Sequence, residues 1–334
     1  MFSKKLKLFS RELLFRLYCK HRQGDKPNIM VYCSRRGGST WLLNTIAAHP
    51  GMRYVGRPFM TVLDTRWASK VPSLAKAARY DGDKKMRQII HFKGEDEAKF
   101  RSVAENIIES KWHVYPSVNF RAPYFNRVTN RVVFQMTSGL PMIRWFENNF
   151  DVDTVYLIRH PIPNALSIMD QGWEPECFEF LENQYFVDTF LTDRQMDVST
   201  KIENGNCLLS RHVLDWCLKH LVPLREIKNA TGSPPVNWTC LCYEDLVTHP
   251  TKVVPRIADS LSLPDVDSML RQVQAPSRTV TKTTAGKVSD ENYLLNRWRN
   301  KLDNQKEIEL MKILDTFELD VYRSGENHPA WNCF

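Results

Sequence analysis

The 334-residue sequence predicts an α/β fold, a central parallel sheet flanked by helices. Two observations predict it. Apolar, β-branched runs at 28–34, 132–136, 153–159 and 236–243 are separated by long helical stretches, the alternation expected of strands joined by helical crossovers. No Gly/Ser-rich linker, internal repeat or low-complexity tract divides the chain, so residues 28–334 read as a single domain with one large core.

The first strand signal is Ile29-Met30-Val31-Tyr32, and it leads into Cys33-Ser34-Arg35-Arg36-Gly37-Gly38-Ser39-Thr40-Trp41. An apolar helical run follows from Leu42 to Ala48, closed by His49-Pro50. Strand, glycine turn, hydroxyl pair and helix start together make a phosphate cradle. Gly37 and Gly38 let backbone N–H groups approach an anion, and the helix N-terminus adds its partial positive charge. Ser39 and Thr40 supply further donors, and Arg36 places a guanidinium on phosphate oxygens. The segment is not the nucleotide-triphosphatase loop GxxxxGK[ST], because no lysine precedes the hydroxyls.

The next informative strand, Thr154–Ile158, ends at Arg159. Pro161 and Pro163 punctuate the turn before a helix start at Asn164–Met169, and Ser167 lies eight residues after Arg159. An arginine fork and a hydroxyl near a helix start suit a phosphate dianion. The last strand signal runs through Cys240-Leu241-Cys242 into Tyr243-Glu244-Asp245-Leu246, then a proline and a helix at about Lys252–Ser262. Cys240 and Cys242 alternate on that strand and should share one face, turned to the core.

In their order and spacing these segments resemble the sulfotransferases that use 3′-phosphoadenosine 5′-phosphosulfate (PAPS), over roughly residues 28 to 310. The likeness is closer to the carbohydrate and bacterial types than to the cytosolic branch with a histidine base. It implies a three-layer, P-loop-like fold whose helical insertions form the acceptor pocket. It also implies PAPS as co-substrate, no metal, and transfer to a hydroxyl or amine of a small-molecule or carbohydrate acceptor by in-line displacement at sulfur. Arg35, Arg36, Gly37, Gly38, Ser39 and Thr40 then belong to the 5′-phosphosulfate, with Arg36 stabilising leaving-group charge. Arg159 and Ser167 belong to the 3′-phosphate. Trp41 stands where the cytosolic branch stacks a ring near adenine, or else is a core aromatic of the first helix. Tyr243 belongs to the family's Tyr-Glu-Asp-Leu element. Lys282 and Lys287, with the segment Asn296–Leu302, resemble the stretch that folds over the 3′-phosphate; a solvated loop is the alternative for both lysines.

The general base is less legible. The run Val132–Gly139 contains neither His nor Lys, and Gly56-Arg57-Pro58 stands where carbohydrate-type relatives show Gly-Glu-Pro. Asp64 lies where the heparan-type branch places its base and is the expected proton acceptor. His160 is an alternative, although beside Arg159 it reads as shaping the turn. Two further readings stay open: a non-catalytic PAPS- or nucleotide-binding protein, and a P-loop kinase, which would need the missing lysine.

Composition is consistent with this. The net charge of +8 accommodates an anionic cofactor, and no Lys/Arg run with interleaved aromatics points to nucleic acid. The eight cysteines show no zinc spacing, and the sequence contains no evident signal peptide or membrane-length apolar run, so a cytoplasmic location is expected. Residues 1–27 form a basic amphipathic arm that either touches an anionic membrane peripherally or packs on the domain. The aromatic-rich segments 57–130 and 170–212 flank the expected acceptor side, as a pocket or as ordinary packing. The sequence says nothing of oligomeric state.

Overall fold

The computed structural model describes residues 17–59, 88–111, 122, 124–230, 238–273 and 291–332. Asp64, Lys282 and Lys287 lie outside the described residues, as do residues 1–16 of the N-terminal arm. The strands are β1 (Lys20–His21), β2 (Asn28–Cys33), β3 (Met52–Gly56), β4 (Val128–Thr129), β5 (Arg131–Met136), β6 (Val152–Ile158) and β7 (Trp238–Cys242). The earlier helices are α1 (Ser39–Ala47), α2 (Gly94–Ile108), α3 (Ile143–Asn149), α4 (Pro161–Met169), α5 (Cys177–Leu181), α6 (Gln184–Phe190) and α7 (Asp193–Glu203). The later ones are α8 (Leu208–Asn229), α9 (Tyr243–Thr248), α10 (Pro250–Ser260), α11 (Val266–Val273), α12 (Glu291–Asn296) and α13 (Asn304–Thr316).

A five-stranded sheet with order β3-β5-β2-β6-β7 is parallel throughout. From β2 the chain first builds β3 and β5 on one side, then crosses to build β6 and β7 on the other. The order therefore reverses beside β2, and the crevice at the carboxyl ends of β2 and β6 is the switch point where such sheets bind ligands.

Strand alternation builds the three layers. Met30, Tyr32, Phe134, Tyr156, Ile158, Cys240 and Cys242 face one core, shared with α8, α13 and α3. Ile29, Val31, Cys33, Val133, Val155, Leu157 and Leu241 face the other, against α1, α10 and α11. Both faces are covered, which is why the strands read as continuous apolar runs. Cys240 and Cys242 share one core face, as their alternation requires.

Three features differ from the sequence reading. β3 was not foreseen, because the buried Arg53 interrupts its apolar pattern. α4 starts at Pro161 rather than Asn164, since a proline is well placed in a first helical turn, and α10 likewise begins at Pro250. Lys20–His21 pairs in parallel with Val128–Thr129, which ties the end of the N-terminal arm to the body. Among the described residues, no helix is long and apolar enough to cross a membrane.

Candidate functional site

The loop after β2 is shaped by two left-handed residues, Arg36 at φ 61° and Gly38 at φ 98°. A non-glycine residue held there stores strain, which persists where neighbours fix it. Arg159 supplies that restraint by donating from Nη1 to the Arg36 carbonyl at 2.8 Å. Asn164 does the same one residue earlier, donating from Nδ2 to the Arg35 carbonyl at 2.9 Å. Both glycines are sterically required. A Cβ at Gly37 would collide with Cys33 Sγ, and one at Gly38 would lie 2.5 Å from Tyr243 Cδ2. Gly38 then caps α1, whose first turn begins with Ser39 and Thr40.

The hydroxyl pair is oriented from β5. Gln135 donates from Nε2 to Ser39 Oγ at 2.9 Å and to Thr40 Oγ1 at 3.4 Å. Its Oε1 accepts the Tyr54 hydroxyl at 3.2 Å, which fixes the amide's direction. A hydroxyl that accepts from Gln135 keeps its own proton to donate elsewhere. Gln135 was not singled out in the sequence. The available signal was a polar residue near the end of a largely apolar strand.

Arg36 reaches across the crevice to α4, where Nε donates to Ser167 Oγ at 3.0 Å. Burial, then the nearby Arg159 charge, lowers the Arg36 pKa, so a bound anion would be welcome there. The Arg159 guanidinium lies 4.3 Å from the centre of the Tyr243 ring, a cation–π contact. Its Nε is buried without a hydrogen-bond partner among the described residues, and so is the Ser34 hydroxyl at the start of the loop. Buried donors ordinarily find a partner, and a bound anion would supply one for these two.

The remaining expected residues take other places. Trp41 donates from Nε1 to the Val273 carbonyl at 2.9 Å and meets Tyr243 edge to face, with ring centres 6.0 Å apart. That anchors the ring between α1 and α11. The Arg35 side chain turns to the segment before α5, pairing with Glu176 at 3.1 Å and donating to the Glu174 carbonyl at 2.9 Å. His160 is fully buried, accepts the Ile162 N–H on Nδ1 at 3.3 Å, and stacks on Trp298. Burial, reinforced by Arg299 and Arg159, pushes its pKa down to about 3, so it is a neutral helix cap. That agrees with the shaping role read from the sequence.

A buried ionic cluster stands behind Arg35. Lys219 of α8 pairs with Asp215 at 2.6 Å and with Glu176 at 2.9 Å. Gln88 donates to Glu176 at 2.7 Å, and the Glu176 N–H donates to Asp215 at 3.2 Å. Burial would raise the Glu176 pKa, but the Lys219 and Arg35 charges outweigh it and bring it to about 2. Sequence reasoning missed this cluster, since its members come together only through tertiary packing.

No family model and no curated protein sequence matches this chain. Solved structures with a similar fold include the sulfotransferase domain from the curacin biosynthetic pathway, at 15% identity over 88% of this chain and 99% of that one, TM-score 0.40. The sulfotransferase domain of a Synechococcus olefin synthase is 18% identical over 91% of this chain and all 100% of that one, TM-score 0.39. A mouse sulfotransferase complexed with PAP is 12% identical over 89% and 86%, TM-score 0.39. All three are sulfotransferases, the family whose motifs the sequence resembles. The chemistry of the present site rests on its own side chains.

Proposed function

We propose that this chain is a PAPS-dependent sulfotransferase acting on a hydroxyl or amine of a small-molecule or carbohydrate acceptor. One observation carries the reading. The glycine loop and the β6–α4 turn, two anion grips far apart in sequence, are joined by the Arg36–Ser167 and Arg159–Arg36 hydrogen bonds. A nucleotide with phosphate groups at both its 5′ and 3′ positions needs two such grips side by side.

The residues fit such a cofactor. The loop takes its tight course because Gly37 and Gly38 lack a Cβ that would meet Cys33 and Tyr243, and the buried Arg159 Nε and Ser34 Oγ could donate to a phosphate. Gly38, Ser39, Thr40 and Arg36 would hold the 5′ end, and Arg159 with Ser167 the 3′-phosphate. PAPS supplies an activated sulfuryl group whose bond to the 5′-phosphate breaks as the acceptor bonds to sulfur. Arg36 offsets the charge that develops on the leaving phosphate, and Ser39 and Thr40, aligned by Gln135, donate to it. The acceptor's proton must pass to a base. Asp64 is the proposed one, on the strength of the sequence resemblance. Lys282, Lys287 and Tyr243 complete the proposed nucleotide surroundings.

The test is calorimetric binding of adenosine 3′,5′-bisphosphate against ADP and ATP without added metal, followed by an acceptor screen with PAPS. Binding that depends on the 3′-phosphate supports the reading. Equal or better ATP binding, especially with magnesium, overturns it. An Asp64→Asn variant that binds nucleotide but still transfers sulfate normally removes Asp64 as the base.

A further inference from the structure

Glu244 follows Tyr243 at the start of α9, and only 2% of it is exposed. Its two oxygens are used by two distant parts of the chain. Oε1 accepts the His160 backbone N–H at 2.9 Å, and Oε2 accepts the Tyr322 hydroxyl at 3.0 Å. His160 directly follows Arg159, so this bond fixes the peptide plane from which the guanidinium departs. The arrangement is braced on the other side as well. The His160 ring lies 4.9 Å from Tyr322, Tyr322 lies 6.2 Å from Trp216, and Trp216 donates from Nε1 to the Arg159 carbonyl at 3.0 Å.

A buried carboxylate is a costly way to fill space, and an apolar residue would strand both the His160 N–H and the Tyr322 hydroxyl. Its placement has a directional consequence that packing alone does not require. Tyr243 and Glu244 are adjacent. The first puts its ring under the Arg159 guanidinium and against Gly38, and the second holds the peptide after Arg159. One strand-to-helix junction thus sets both the platform and the bearing of the same arginine.

We propose that Glu244 is a positioning residue for 3′-phosphate recognition, aiming Arg159 by holding the His160 N–H and tying the turn to Tyr322 of the C-terminal segment. The inference rests on the sulfotransferase reading of the site. With both oxygens engaged by His160 and Tyr322, Glu244 would act through Arg159.

The experiment is calorimetry on the full chain with adenosine 3′,5′-bisphosphate and with adenosine 5′-monophosphate, which lacks the 3′-phosphate. Glu244→Ala should weaken the bisphosphate by about tenfold or more while leaving the monophosphate within about threefold, as expected for losing hydrogen bonds to a charged group. Glu244→Gln keeps an acceptor for His160 and a polar partner for Tyr322, and should restore the preference to within about threefold of wild type. Tyr322→Phe should fall between the two. If Glu244→Ala fails to fold, as judged by circular dichroism, the Tyr322→Phe ratio decides, and an unchanged ratio overturns the proposal. Equal losses for both nucleotides, or none, in a folded Glu244→Ala protein overturn the positioning role alone. A wild-type protein indifferent to the 3′-phosphate overturns the cofactor reading and this inference with it.

Discussion

Arg36 and Ser167 lie 131 positions apart in sequence, yet the guanidinium Nε donates to the hydroxyl at 3.0 Å. In the proposed site the bond would hold the arginine assigned to the 5′ end of the nucleotide against the helix assigned to its 3′ end. Arg36→Ala should therefore lower PAPS-dependent turnover by about 100-fold or more, the scale for removing one donor from a developing oxyanion. Ser167→Ala should act on the same arginine, so the double variant should be less impaired than the two single effects combined, with a coupling of about 1 kcal/mol. Additive losses in turnover would mean that the two residues serve the nucleotide independently.

Gly38 separates conformational strain from steric exclusion. At φ 98° an alanine is strained, and its Cβ would also press on Tyr243 at 2.5 Å. Gly172, at φ 65°, is similarly left-handed, but nothing lies within 4 Å of a Cβ built there. Gly172→Ala should cost about 1 kcal/mol of unfolding free energy and leave nucleotide affinity alone. Gly38→Ala should cost more and also weaken adenosine 3′,5′-bisphosphate binding. Chemical denaturation and calorimetry on both variants check this, and equal behaviour would remove Tyr243 as the wall of the loop.

The difference between local and tertiary signals explains what was legible in the sequence. The turn from Ser34 to Thr40 and the turn from Arg159 into the helix carrying Ser167 were readable as local structure because each is written in one short stretch, with glycine or proline fixing the backbone. The strands were readable because both faces of the sheet are buried. Gln135 was not, since its meaning comes from Ser39 and Thr40 some 95 positions away. Glu176, Asp215 and Lys219 carry no local signal, because the cluster forms only when α8 packs against the segment before α5. β3 was hidden by Arg53, a charged residue that the fold buries at 6% exposure.

Glu244 makes a sign-specific prediction about pH. Burial raises its pKa from 4.5 to about 7, against the lowering effects of the His160 N–H, Arg159 and the Tyr322 hydroxyl. A carboxyl raised on folding stabilises the protein below its unfolded value and loses that contribution as pH rises through the folded one. The shift corresponds to about 3 kcal/mol, lost between about pH 4.5 and pH 7. His160, His220 and His212 act oppositely, because burial lowers them to about 3, about 3 and about 4, so their contribution is lost as pH falls below 6.5. Comparing Glu244→Gln with wild type cancels the histidines. Between pH 5 and pH 8 the wild type should lose about 2 to 3 kcal/mol more stability than the variant. Parallel urea-unfolding profiles for the two proteins would show that Glu244 does not titrate in this range.

The cluster around Lys219 predicts a large loss with a specific remedy. Lys219 is buried between Asp215 and Glu176, with Arg35 on the far side of Glu176. Asp215 is pushed up by burial, and Lys219, despite its own burial, is held up by the two carboxylates. Lys219→Met leaves two buried carboxylates facing one guanidinium, which should destabilise the protein by about 3 to 5 kcal/mol. Adding Asp215→Asn removes one uncompensated charge while keeping an acceptor for the Glu176 N–H, and should recover more than half of the loss. Because Arg35 precedes Arg36 in the glycine loop, Glu176→Gln should also weaken nucleotide binding by a few-fold through the released Arg35, although Glu176 lies outside the proposed phosphate sites. Urea unfolding and calorimetry measure the two effects separately. A Lys219→Met protein as stable as wild type would mean that the cluster is neutral in the fold. Unaltered nucleotide affinity in Glu176→Gln would show that Arg35 is not held there for the sake of the loop.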